Sequence, residues 1–247
     1  MPSWTDGAGL WTEAATLHYA GIHALDDVSV RCEPGRWTGL IGPNGAGKTT
    51  LVNALTGFAA LTSGRVFLDG EDITGWSPQR RARAGLARTF QSARLFPELS
   101  VRENVEAAVL SRDGSRRAAV VEMQRILGLT GLRRVAEVRA AALPYAEQRA
   151  AGMARALGLA PRFLLLDEPA AGVDDLELAG FTALLRRIQQ DSGCGVLLIE
   201  HNVDLVFDLA EEVIVLDHGA VIAHGAPADV RRDAQVHAAY LGVGGAR

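Results

Sequence analysis

Residues 42–50 read GPNGAGKTT, directly behind an apolar run ending Gly39-Leu40-Ile41 and directly ahead of Leu51-Val52-Asn53-Ala54-Leu55. A buried strand, a glycine-rich turn and a helix in that order leave few folds open to a chain. The spacing Gly-x-x-x-x-Gly-Lys-Thr is that of a phosphate-binding loop rather than of an ordinary glycine-rich turn. Gly42, Gly45 and Gly47 let successive backbone N–H groups turn inward around an anion, with Pro43, Asn44 and Ala46 between them. The following helix adds roughly half a positive charge at its N-terminus. Lys48 is then placed to reach β- and γ-phosphates, Thr49 to offer its hydroxyl to Mg²⁺, and Thr50 belongs to the same nucleotide-binding stretch.

The 247 residues suffice for one large α/β domain, and 48% hydrophobic content supplies a core. A net charge of −4, with Arg80, Arg81 and Arg83 interspersed rather than massed, gives no electrostatic footprint for nucleic acid. Cys32 and Cys194 are far apart, without metal-ligand spacing, and read as buried free thiols of a reducing compartment. The opening MPSWTDGAGLWTEA has no basic start or apolar stretch and reads as a short polar extension. Runs such as Phe163-Leu164-Leu165-Leu166 and Val196-Leu197-Leu198-Ile199 stop far short of the ~20 residues that span a bilayer.

Short strands are expected over residues 14–41, turning at Ala20-Gly21 and at Glu33-Pro34-Gly35, as an antiparallel edge before the loop. Ser77-Pro78 opens a short arginine-rich helix with Ser77 as its cap. Residues 92–158 lose strand texture, with helices expected over 101–110, 116–127 and 148–157. Strand and helix then alternate: strands at 163–166, 196–199 and 213–216, helices over 176–190 and after His201. The expected fold is α/β, a P-loop NTPase of RecA-like type: a parallel-sheet core with an antiparallel β subdomain and an inserted helical subdomain. One domain over 1–247 is expected, its core at about 12–91 and 160–247 and its helical subdomain at about 92–159.

Together GPNGAGKTT, the QSARLF stretch from Gln91, ALPYAEQR at 142–149, FLLLDEPAAG at 163–172 and LLIEHN at 197–202 resemble the ATPase subunit of ABC transporters. The resemblance covers essentially the whole chain. It is closest to subunits of branched-chain-amino-acid-type importers, through the Leu-x-Tyr form of the signature, LTSGRVFLDGEDITG at 61–75 and the tail HGAPADVRRDAQVHAAYLG.

This resemblance implies ATP and Mg²⁺ as cofactors. Four apolar residues put Asp167 and Glu168 at the C-terminal end of a strand, where open α/β sheets bind ligands. Asp167 is then expected to hold Mg²⁺ through a water, and Glu168 to orient the attacking water or accept its proton. Gln91 contributes an amide oxygen to the metal or the lytic water, and the segment Gln91–Phe96 is the expected permease contact. His201, after the strand 196–199 and Glu200, emerges at the same sheet edge as Glu168 to hydrogen-bond a γ-phosphate. Tyr19 either stacks on adenine, a contact typically worth roughly 1–3 kcal/mol, or packs in the core. The remaining histidines read as surface or packing.

Leu143, Pro144, Tyr145, Ala146, Glu147 and Gln148 occupy the signature position, just ahead of a helix, and by resemblance close over ATP held by a second ATPase subunit. Pro144 stands where serine is usual and Ala146 where a second glycine is usual. A Cβ at 146 obstructs phosphate contact, above all if the position needs positive φ, so a heterodimer with a partner carrying a normal signature is expected. The implied function is an ATP-hydrolysing subunit peripheral to the cytoplasmic face of the membrane, serving permeases and, indirectly, an external solute-binding protein. Its cargo is expected to be branched-chain or related amino acids, with urea or amides the alternative. A soluble non-transport ATPase, or an ATP-binding subunit with weak turnover, are the other readings.

Overall fold

A computed structural model describes residues 7–19, 21–90, 93–112 and 116–241. In chain order the elements are β1 (Leu10–Tyr19), β2 (Ile22–Val28), β3 (Arg31–Cys32), β4 (Trp37–Ile41), α1 (Lys48–Thr56), β5 (Ser63–Leu68), β6 (Glu71–Asp72), α2 (Pro78–Arg83) and β7 (Leu86–Arg88). They continue with α3 (Val101–Leu110), α4 (Arg116–Leu129), α5 (Tyr145–Gly158), β8 (Phe163–Asp167), α6 (Asp175–Ser192), β9 (Gly195–Ile199), α7 (Val203–Leu209), β10 (Glu212–Asp217), β11 (Ala220–Gly225), α8 (Pro227–Val230) and α9 (Ala234–Leu241). The chain divides into two compact units, residues 1–81 with 195–247, and residues 82–194.

In the first unit β4 lies between β10 and β9, parallel to both, with Leu40 opposite Ile214 on one side and Ile199 on the other. Every residue of β4 and of β9 is buried, as expected of parallel strands covered on both faces. β11 returns antiparallel beside β10, a hairpin outside the strands expected from the sequence. A separate antiparallel sheet pairs β1 with β2, β3 and β5. Its β1 starts at Leu10, inside the stretch read as a polar extension. Trp11 explains the difference: it is 1% exposed and stacks on Phe67 across β5 at 5.1 Å. Burying that ring fixes a backbone that the composition of residues 1–14 leaves open.

The C-terminus of α1 is held from α2. Gly57 caps it in the left-handed region, and the guanidinium of Arg81 reaches four carbonyls, those of Ala54, Leu55, Thr74 and Trp76. Arg81 is thereby buried, and desolvation pulls its pKa down to about 10.

In the second unit β7 and β8 run parallel, Arg88 opposite Leu165. The helices α3, α4 and α5 pack together around Val105, Ile126, Leu127 and Ala154. Ser100 and Glu103 close a capping box at the start of α3, and Asp174 caps α6 by accepting the Glu177 N–H at 2.8 Å. The helix expected over 148–157 begins three residues earlier, at Tyr145. Pro144 sits at its N-cap, where the missing N–H costs nothing, so the signature is the first turn of the helix and not a loop ahead of it.

Candidate functional site

In the first unit the glycine-rich loop leaves the tip of β4 and enters α1. Gly42 has φ of 153°, and a Cβ there would sit 2.1 Å from the carbonyl oxygen of Leu216. Gly47, the N-cap of α1, has φ of 102°, and a Cβ there would meet the carbonyl of Ala24 at 2.6 Å. Both positions therefore exclude any side chain. No side chain caps α1, and the N-terminus of a helix turns backbone N–H groups and partial positive charge toward an anion. Lys48 is buried, and its ammonium donates to the carbonyls of Gly42 at 2.7 Å and Pro43 at 3.0 Å. Asn44, Gly45 and Thr49 are exposed.

His201 lies two residues beyond β9, next to β4 in the sheet, so the loop and the histidine leave the same edge of this unit. Its side chain is exposed, and Asn202 behind it caps α7. Tyr19 at the end of β1 is 49% exposed, which removes core packing as its role. Two neighbours of the loop were not legible in sequence. Gly219, in the β10–β11 turn, donates to the carbonyl of Ala46 at 3.0 Å. Tyr240 on α9 lies by the backbone of Gly42, and burial pushes its phenol upward.

In the second unit β8 ends in Asp167, which is buried. Its Oδ2 accepts from the Arg88 guanidinium at 2.6 Å, with the two side chains 9% and 7% exposed. Glu168 follows in the left-handed region, φ 49°, a conformation that side-chain-bearing residues adopt at a cost and that recurs at functional sites. Arg149 of α5 donates to the carbonyl of Pro169 at 2.9 Å, tying the signature helix to the strand tip. A cavity of about 100 Å³ lies here, lined among others by Phe90, Gln148, Arg149, Asp167 and Glu168.

Leu143 is buried below the signature, and Gln148 donates back to its carbonyl at 2.9 Å. Pro144, Tyr145 and Ala146 are exposed, and Glu147 is the acid of the first turn of α5. Ala146 has ordinary right-handed helical backbone. Positive φ, which would have added strain to the expected obstruction, is therefore not present at 146: helix geometry suits alanine there, and its methyl group is what differs from glycine. Gln91 lies outside the described residues. Both cysteines are buried free thiols, as their spacing suggested.

A family model described as "ABC transporter" matches residues 25–171. The chain belongs to the ATP-binding proteins of ABC transporters. A second family model, "Branched-chain amino acid ATP-binding cassette transporter", matches residues 220–246. Among curated relatives, the "High-affinity branched-chain amino acid transport ATP-binding protein BraF" of Pseudomonas aeruginosa is 36% identical over 242 residues, covering 92% of this chain and 95% of that protein. The corresponding LivG of Escherichia coli K12 is 35% identical over 92% of this chain and 94% of its own length. The ADP conformation of MJ1267, an ATP-binding cassette of an ABC transporter, superposes with a TM-score of 0.83 at 29% identity, covering 95% of this chain and 98% of that one. The ABC family assigns ATP binding and hydrolysis coupled to transport, and the branched-chain amino acid transporter type is the one this chain shares. The expected P-loop fold, with parallel sheet and antiparallel subdomain, is that of the family. Among the described residues no helix is long and apolar enough to cross a membrane.

Proposed function

We propose that this ATPase subunit drives uptake of branched-chain or related amino acids from a position peripheral to the cytoplasmic face of the membrane. The observation that carries the reading is agreement along the chain: relatives named for branched-chain amino acid transport match 92% of it, and the branched-chain family model matches its tail. The chain is read as one ATPase domain, with residues of about 92–159 as its helical subdomain.

Lys48, the loop glycines and the uncapped start of α1 bind the phosphates of ATP. Tyr19 offers an exposed ring to adenine. Hard oxygen donors suit Mg²⁺, and the chain supplies Thr49 and Asp167, with Gln91 as a third. Bound Mg²⁺ supplies positive charge against the phosphates. Glu168 orients the lytic water or takes its proton, and His201 donates to the γ-phosphate.

The signature residues Leu143 to Gln148 serve ATP bound by a second ATPase subunit. The extra methyl of Ala146 supports a heterodimer in which this signature makes the weaker contact. Phe96, 54% exposed, is a contact for the permease, together with the preceding residues from Gln91. Substrate choice resides in the permeases and the external binding protein.

Reconstitution with permeases, partner ATPase and binding protein tests the reading. Glu168→Gln should keep ATP binding while hydrolysis falls by about 10²-fold or more, the scale of general-base catalysis. Unchanged turnover refutes the role of Glu168. Labelled leucine accumulating in preference to urea supports the amino acid assignment, and the reverse overturns it. Ala146→Gly should raise turnover of the assembled complex; an unaltered rate and ATP affinity count against the weak-signature reading.

A further inference from the structure

Asp167 is a buried carboxylate at the end of β8, and a carboxylate so placed needs a positive partner. Its partner is Arg88, the last residue of the adjacent strand β7, through Arg88 Nη2 to Asp167 Oδ2 at 2.6 Å. The same strand end also holds the carboxylate's backbone, since Asp167 N–H donates to Thr89 Oγ1 at 3.4 Å and Thr89 N–H donates to Leu165. The guanidinium carbon of Arg88 lies 4.8 Å from the centre of the Phe90 ring. The guanidinium of Arg94 lies closer to the same ring, at 4.0 Å, so the firm partner of Arg88 is the Asp167 carboxylate.

We propose that Arg88 is a positioning residue that stands in for the divalent cation at Asp167, and that loading the cation requires the Arg88–Asp167 ion pair to give way. This rests on the reading of Asp167 as the metal-side carboxylate. Without a cation, the guanidinium neutralises the buried charge and fixes its rotamer. When a cation approaches, two positive groups face one carboxylate in a poorly screened setting, and the metal binds more weakly than the carboxylate alone would allow.

The test compares the wild-type full chain with Arg88→Gln, Arg88→Lys and Asp167→Asn. Each protein is titrated with MgCl₂ at fixed ADP and at a fixed non-hydrolysable ATP analogue, read by calorimetry, and melted without nucleotide. Arg88→Gln should lower the Mg²⁺ concentration for half-maximal effect about tenfold, the consequence of removing an opposing interaction of about 1.4 kcal/mol. Its melting temperature without nucleotide should fall, because Asp167 is then buried unpaired. In the Asp167→Asn background, Arg88→Gln should leave the Mg²⁺ response unmoved. Arg88→Lys, which keeps the charge but not the planar fork, should shift the half-point downward by a smaller factor, and decides the matter if Arg88→Gln does not fold. A Mg²⁺ half-point that is unchanged or raised in these variants, with only the melting temperature lowered, makes Arg88 a structural residue and overturns the proposal. A wild type whose nucleotide binding ignores Mg²⁺ removes the reading of Asp167 itself, and the proposal with it.

Discussion

Arg81 is the side chain whose replacement should reveal most about how the phosphate loop is held. It is 2% exposed, and it donates to Ala54 and Leu55 at 2.6 and 2.7 Å, to Thr74 at 2.8 Å and to Trp76 at 3.2 Å. Two of these acceptors belong to the last turn of α1, the helix whose other end receives the loop. Hydrogen bonds from a charged donor contribute about 1.5–3 kcal/mol each, so four amount to about 6–12 kcal/mol gross. Keeping a guanidinium buried costs several kcal/mol, which offsets much of that sum. Arg81→Met retains the aliphatic stem but leaves carbonyls unpaired, and the net loss is about 3 kcal/mol. For a chain of this size each kcal/mol moves the melting temperature by about 2–4 °C, so a fall of about 6–12 °C is expected in a thermal melt of the nucleotide-free protein. Arg80→Met, one residue earlier on an exposed side chain, should shift it by about 1 °C or less. If Arg81→Met melts within about 2 °C of wild type, the guanidinium does not hold α1 and the hydrogen-bond reasoning is wrong.

Gly42→Ala should abolish binding of a fluorescent ATP analogue and lower the melting temperature, since its Cβ would lie 2.1 Å from the Leu216 carbonyl; retained nanomolar-to-micromolar binding would show that the loop can shift aside. Burial raises the Cys32 thiol to about 12, with smaller contributions from Thr38, which lowers it, and from Glu212 and Glu33. Because this folded value exceeds that of the unfolded chain, the stability Cys32 contributes is fully present below about pH 9 and is lost as pH rises toward 12. Urea unfolding should therefore show a steeper alkaline loss of stability in wild type than in Cys32→Ala, and parallel curves would contradict that. The same burial should keep Cys32 unreactive to a thiol reagent in the native state and expose it on unfolding.

Local chemistry wrote much of this protein into its sequence. The loop at 42–50, the acids after an apolar run and the histidine after another are short-range patterns, because a strand end and a helix start need particular residue types within a few positions. The helices over 101–110 and 116–129, and the buried strands β4, β8 and β9, follow from periodicity in the same way. Partners far apart along the chain could not be read so. Arg80 and Arg81 are adjacent and alike in sequence, yet one lies exposed over Trp76 at 3.7 Å while the other is buried. Nothing local in the sequence sets Arg88 apart until β7 lies beside β8, and Trp11 reads as part of a polar tail until Phe67 covers it. Ala146 looks like a loop residue until the helix is seen to begin before it. Sequence specifies which groups are available within one turn or one strand; which charge neutralises which, and which ring covers which, depends on chain folding that brings distant residues into a shared low-dielectric interior.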